Sequence, residues 1–295
     1  MTSGEKEKQI GNEYNILWSD VKKINREDEN LALGWHFGYY EKGVKSFKKA
    51  IINMNDYIGR LLDINNGSLN ILDAGCGIGG TVIYLAKKYP NSTFFGITLA
   101  PNEIAHAEKL KIKNNLKNIF FSQQSYHDTK FQAEFFDGIY ALESFSYRKD
   151  DLFLKEMNRI LKKGGKIAIV DLFRCYTTNT NPYIRNLKFK ILKENEHEKP
   201  GFTIYTVEKN LKQAGFENIK IYNLSKNKNV KYSQLYYFMI YYLFKNLHHQ
   251  TQEKMVQKKY NSIFLIWKFF NRFIIKTLIL IISKPGYYSI TAVKK

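Results

Sequence analysis

Between residues 70 and 173, short apolar runs rich in β-branched and aromatic side chains alternate with longer stretches whose apolar positions recur at helical spacing. The pattern predicts strands over 70–74, 92–98, 118–123, 135–141 and 166–172, with helices over 78–89, 101–115 and 148–162. Residues 161–173 (LKKGGKIAIVDLF) read as a helix end, a Gly-Gly turn and the fifth strand. Strands and helices in alternation build a parallel sheet covered on both faces. Farther along, 203–214 reads as a helix, 216–224 as a sixth strand and 286–293 (GYYSITAV) as a seventh. Upstream, an apolar-aromatic patch over 31–40 (LALGWHFGYY) precedes Val44, Phe47, Ile51, Met54, Ile58 and Leu61, which lie at helical spacing and predict a helical cap.

Residues 71–80 (ILDAGCGIGG) join the first strand to the first helix of the alternating region. A chain that turns sharply there while its backbone approaches a ligand needs residues without Cβ, which Gly75, Gly77 and Gly79 supply. Their G-x-G-x-G spacing differs from the G-x-G-x-x-G of dinucleotide folds, and no Lys-Ser or Lys-Thr of a phosphate loop follows. The expected ligand therefore lacks a pyrophosphate. In open α/β sheets ligands sit beyond the carboxyl ends of the strands, an edge that here carries Asp73, Thr98, Gln124 and Glu143.

The glycine stretch resembles motif I of the class I S-adenosylmethionine-dependent methyltransferases, and the strands at 92–98, 135–144 and 161–173 keep the register of that family. The resemblance implies a Rossmann-like, seven-stranded methyltransferase sheet with an antiparallel last strand, a helical N-terminal cap and a helical insertion before the last strand. The boundaries expected are 1–62 for the cap, 63–225 for the cofactor-binding core, 226–285 for a helical lid or membrane-facing insertion, and 286–295 for the final strand of the core. S-adenosylmethionine is the implied cofactor, held by Asp73, Gly75, Cys76, Gly77 and Gly79, by Thr98 and Leu99 after the second strand, and by Gln124 and Ser125 after the third. Many family members carry an acidic residue after strand two for the ribose hydroxyls. Here the context is Gly-Ile-Thr-Leu-Ala-Pro, which is similar to small-molecule and isoprenoid C-methyltransferases. Gln124 stands where Asp is common beside the adenine amine.

Glu143, in Ala-Leu-Glu-Ser-Phe-Ser-Tyr, follows strand four, where sterol, tocopherol and prenyl diphosphate C-methyltransferases carry a similar element. Methylation of an alkene leaves a carbocation, which a carboxylate there stabilises and deprotonates. The alternative is that Glu143 caps a helix or bonds a cofactor amine. The patch Trp35-His36-Phe37-Gly38-Tyr39-Tyr40 resembles an element that folds over the active site in the same subfamilies. His36 is expected as a second base, with Tyr39 and Tyr40 as aromatic faces for a cation; the alternative is that the patch is core.

The chain has 295 residues and a formal charge of +19, from 46 Lys and Arg against 27 Asp and Glu. This favours anionic partners, or is a solvated basic surface without one. Its two cysteines, Cys76 and Cys175, imply no disulfide framework, and the polar N-terminus has no apolar signal region, so a reduced cytoplasmic setting is expected. Segment 263–282 (IFLIWKFFNRFIIKTLILII) has the length of a membrane span. Its basic stripe of Lys268, Arg272 and Lys276 argues instead for a helix lying peripherally in the membrane interface, or packed as a lid or homo-oligomer contact. The histidines are scattered, and no metal site is expected. The function expected is C-methylation of a lipophilic isoprenoid or sterol-like substrate, against O- or N-methylation of a natural-product, quinol or glycoside acceptor. Nucleic-acid methylation fits less well. The base-gripping Asn- or Asp-Pro-Pro-aromatic clamp would follow strand four, where this chain has Ala-Leu-Glu-Ser.

Overall fold

The computed structural model describes residues 5, 7–12, 15, 34, 36–145, 151–173, 203–226 and 286–295. Seven strands form one sheet: β1 Asn70–Ala74, β2 Thr93–Thr98, β3 Ile119–Gln123, β4 Phe136–Leu142, β5 Leu161–Phe173, β6 Phe216–Asn223 and β7 Gly286–Lys294. Their order is β3-β2-β1-β4-β5-β7-β6. β1 to β5 pair in parallel, and β7 runs antiparallel to both of its neighbours. The described helices are α1 Phe47–Leu61, α2 Gly80–Lys88, α3 Pro101–Lys113, α4 Asp151–Ile160 and α5 Val207–Gln213. Residues 7–12 are also helical.

Period-2 alternation along the central strands divides the core into two layers. In β4, Ile139 and Ala141 face one layer and Tyr140 and Leu142 the other; in β5, Ile167 and Ile169 alternate likewise with Ala168 and Val170. The first layer is closed by α4 and α5 through Phe153, Leu154, Met157, Val207 and Leu211. The second is closed by α1 and α2 through Ala50, Met54, Ile58, Val82 and Leu85. α1 starts at Ser46, whose hydroxyl accepts from Lys49 N–H. α3 starts with Pro101, whose missing N–H costs nothing in a first turn.

One local expectation is corrected. Residues 161–165 are neither a helix end nor a free turn: α4 stops at Ile160, and Leu161 already pairs with Phe136. The ladder shifts register between Phe136 and Gly138, so the Lys162–Gly165 stretch bulges within β5, with Gly164 at φ 73° supplying the left-handed backbone. The helix expected over 203–214 is shorter, at Val207–Gln213. The insertion and its 263–282 segment lie outside the described residues, as do Trp35 and Cys175. Among the described residues no helix is long and apolar enough to cross a membrane.

Candidate active site

The glycine loop lies between the ends of β1, β2 and β4. Gly75 N–H and Cys76 N–H both donate to Ile97 O, at 3.0 and 2.9 Å, which pins the loop to β2. Gly75 has φ 110°, and a Cβ there would lie 2.3 Å from Ser144 Cβ. Ser144 in turn donates through Oγ to Ala74 O at 2.6 Å. The end of β4 is therefore locked beneath the loop. Gly79, at φ 79°, begins α2 and leaves no room for a Cβ against Phe121 and Ala107. Gly77 differs: its backbone is left-handed, yet a Cβ would meet only Glu103 Oε1, at 4.0 Å. Its half-buried flank is the open side of the loop. Cys76 Sγ bonds Gly77 O at 3.5 Å, and burial holds its thiol protonated.

Asp73 sits opposite Tyr140 in the β1–β4 register and is buried. Among the described residues neither Asp73 Oδ1 nor the Tyr140 hydroxyl has a hydrogen-bond partner of ordinary geometry, although Tyr140 lies close enough to pull the Asp73 pKa down. Burial outweighs that pull and raises Asp73 to about 8. A buried acceptor without a donor is costly, and a ligand amine or hydroxyl would satisfy it.

Beyond β2, Thr98 Oγ1 donates to Glu103 Oε2 at 2.7 Å and accepts from Ala100 N–H. Glu103 is buried in the first turn of α3, and burial raises its pKa to about 7. This carboxyl was missed in the sequence, where an acidic residue was sought directly after the strand. The first helical turn carries it back to Thr98 and the open side of Gly77. Gln124 is already engaged: Oε1 accepts from Lys130 N–H at 2.8 Å and Nε2 donates to Ser122 Oγ at 2.7 Å. Ser125 Oγ donates to Glu7 Oε1 at 2.8 Å, and His127 Nδ1 meets the same oxygen at 3.0 Å. Leu99 O lies against Gly11, where a Cβ would come within 2.8 Å, and Asn102 N–H donates to Asn15 Oδ1 at 3.1 Å. The N-terminal residues thus cover the carboxyl ends of β2 and β3.

Glu143 follows β4 in a left-handed conformation, φ 54°, with its N–H on Val170 O at 2.8 Å. Its Oε1 accepts two hydrogen bonds, from Phe37 N–H and from the Tyr287 hydroxyl, each 2.7 Å long. The Phe37 and Tyr287 rings meet edge to face at 5.5 Å. Burial raises Glu143 to about 8; the two donors oppose that shift, and the charge of nearby Asp171 adds to it. Tyr287 was not singled out from the sequence: it stands 144 residues from Glu143, and only the β5–β7 pairing brings it in.

His36 is buried against α1 and α2, with Nε2 3.1 Å from Asn55 Oδ1. Thr81 Oγ1 donates to that oxygen at 2.9 Å, so the Nε2–H tautomer is the one the site accepts. Nδ1 is then a buried acceptor without a partner among the described residues. Burial lowers the imidazole to about 4, so His36 is neutral. Tyr39 stacks on Tyr57 at 4.4 Å and donates its N–H to Ala50 O, while Tyr40 is buried in the second core layer. Among the described residues of the aromatic patch, Phe37 is the one brought to Glu143, while Tyr39 packs along α1. Among the described residues no cluster of His, Cys, Asp or Glu has the make-up of a metal site.

Residues 71–165 match the family of methyltransferase domains. The sterol 4-C-methyltransferase strm-1 of Caenorhabditis elegans is 29% identical over 166 residues, which cover 55% of this chain and 46% of that protein. The chain spans about half the length of the curated relatives it matches. Among solved structures, the [4+2]-cyclase SpnF superposes with a TM-score of 0.66 at 17% identity, covering 98% of this chain and 96% of its own. Geranyl diphosphate C-methyltransferase from Streptomyces coelicolor A3(2), solved with Mg²⁺, geranyl diphosphate and S-adenosyl-L-homocysteine, superposes with a TM-score of 0.64 at 13% identity over both whole chains. The sheet around the matched residues has the fold of the class I S-adenosylmethionine-dependent methyltransferases. That fold also carries a cyclase, so the reaction has to be argued from the site.

Proposed function

We propose that this protein is an S-adenosylmethionine-dependent methyltransferase that methylates carbon on a lipophilic, isoprenoid or sterol-like small molecule. The observation that carries this reading is Glu143, a carboxyl set among aromatic rings one residue from the Ser144 contact that underlies the glycine loop. The residues present suit the cofactor: Asp73 Oδ1 is a buried acceptor in need of a donor, and the flank of Gly77 is open where other side chains would intrude. Asp73, Gly75, Cys76, Gly77 and Gly79 would hold the amino-acid end. Thr98, Leu99 and Glu103 would hold the ribose, with Gln124 and Ser125 at the adenine. S-adenosylmethionine supplies an electrophilic methyl group on a sulfonium.

The protein has three tasks: to align the acceptor carbon with that methyl, to keep water away, and to remove a proton afterwards. As the π electrons of the acceptor form the new C–C bond, the sulfur keeps the electrons of the bond that breaks, and the neighbouring carbon becomes cationic. Phe37 and Tyr287 line the approach to Glu143 with aromatic surface, which favours a cation. Glu143 takes the proton that restores the double bond. His36, held neutral by burial, acts as a hydrogen-bond acceptor in the cap and not as a charge carrier.

The test is incubation of the protein with methyl-labelled S-adenosylmethionine and a cell extract, followed by phase partition and NMR of the labelled product. Carbon-bound label in the organic phase, lost in Glu143→Gln, is expected. Label on oxygen or nitrogen, label in the aqueous or nucleic-acid fraction, or full transfer by Glu143→Gln would overturn the reading.

A further inference from the structure

Both donors to Glu143 converge on a single oxygen. Phe37 N–H comes from the N-terminal cap and the Tyr287 hydroxyl from β7, and each ends on Oε1. Oε2 makes no hydrogen bond among the described residues. Tyr287 is itself fixed: it is fully buried, lies opposite Leu172 of β5, meets the Phe37 ring edge-on, and donates its N–H to Ser225 Oγ. We propose that Tyr287 is a positioning residue that, with Phe37 N–H, immobilises Oε1 and so assigns the proton-accepting role to Oε2. The proposal rests on Glu143 being the base.

The consequence follows from the valence of the carboxyl group. Two donors occupy the lone pairs of Oε1, so the substrate proton has to arrive at Oε2. The substrate C–H bond breaks, its electrons re-form the double bond, and Glu143 becomes a neutral acid whose Oε1 still accepts both donors. The Tyr287 hydroxyl remains a donor throughout, because burial and the neighbouring Glu143 carboxylate hold its own ionisation far above the ordinary phenol range. Among the described residues, Asp171 of β5 is a further charged group near Glu143, and its charge opposes ionisation of the Glu143 carboxyl. Removing the Tyr287 hydroxyl therefore takes away a bond to the ionised form while the repulsion stays.

Tyr287→Phe tests this, since it keeps the ring against Phe37. In full-length protein carrying ¹³C-carboxyl glutamate, the Glu143 resonance is assigned by its absence from Glu143→Gln. Its titration midpoint is expected to rise by about one to two pH units in Tyr287→Phe, as befits the loss of a hydrogen bond to a charged group. The acid limb of the kcat profile should move with it, and kcat should fall about tenfold with little change in KM. Tyr57→Phe, which removes a comparable hydroxyl bond to Ser289 of β7, should leave the midpoint in place. Should Tyr287→Phe fail to fold, wild-type protein grown with 3-fluorotyrosine carries a stronger donor, and its Glu143 midpoint should fall. An unchanged midpoint in either sample would overturn the proposal. A shifted midpoint beside full methyl transfer by Glu143→Gln would sink the base reading, and the role of Oε2 with it.

Discussion

Asp73 and Glu143 end neighbouring strands, β1 and β4, and burial raises both to about 8, yet their surroundings are opposite. Glu143 comes with its donors in place, drawn from two distant parts of the chain. Asp73 faces a tyrosine with which it closes no ordinary hydrogen bond, and its Oδ1 is left unpaired. The contrast separates two settings for a carboxyl at a strand end. On the proposed reading, one is preassembled for a reaction, and the other is left incomplete for a ligand to complete.

The sharpest way to break this comparison is Glu143→Gln, which keeps the shape and removes the base. Methyl transfer should fall by about 10² to 10⁴ while cofactor affinity, read by calorimetry, holds nearly constant. Next in size is pH. A base with pKa about 8 must ionise to act, so kcat/KM for the methyl donor should climb roughly tenfold per unit below pH 8 and level off above it.

The loop itself separates steric demand from backbone demand. Gly75→Ala drives a Cβ into Ser144, whereas Gly43→Ala has nothing within 4 Å, although both sites are left-handed. Thermal melts should show a cost of about 3 kcal/mol or more at Gly75 and about 1 kcal/mol at Gly43. Smallest is Asp73→Asn, expected to weaken S-adenosylmethionine binding about tenfold by calorimetry. Because Asp73 is raised from its ordinary value to about 8, the stability it contributes is full at low pH and lost as pH rises through 8. The cofactor-free Asn variant lacks that loss, so its melting temperature should gain on wild type across the same interval.

The alternation of strands and helices was legible because each element carries its own period: β1, β2 and β3 fall within a residue or two of their expected places. Local rules misled where a residue serves a distant partner. The Gly-Gly pair at 164–165 has the look of a turn, but the demand that β5 pair with β4 makes it a bulge. Glu103 is an ordinary first-turn helix residue until the fold returns it to Thr98. The packing of α1 and α2 that leaves His36 a neutral imidazole bonded to Asn55 is likewise outside any local pattern. The roles of Phe37 and Tyr287 at Glu143 depend on contacts across 106 and 144 residues, which no local pattern contains.

The position of β7 has a consequence for synthesis. Of the described strands it is made last, yet it lies between β5 and β6. Until residues 286–294 emerge from the ribosome, β5 has an open edge and β6 has nothing to pair with. Glu143 meanwhile lacks Tyr287, so a nascent chain that has already folded its glycine loop still holds an unfinished base. Such late, long-range closure makes folding slow and leaves an exposed strand edge in the intermediate. It also means that binding competence and catalytic competence arise at different moments in the life of the chain.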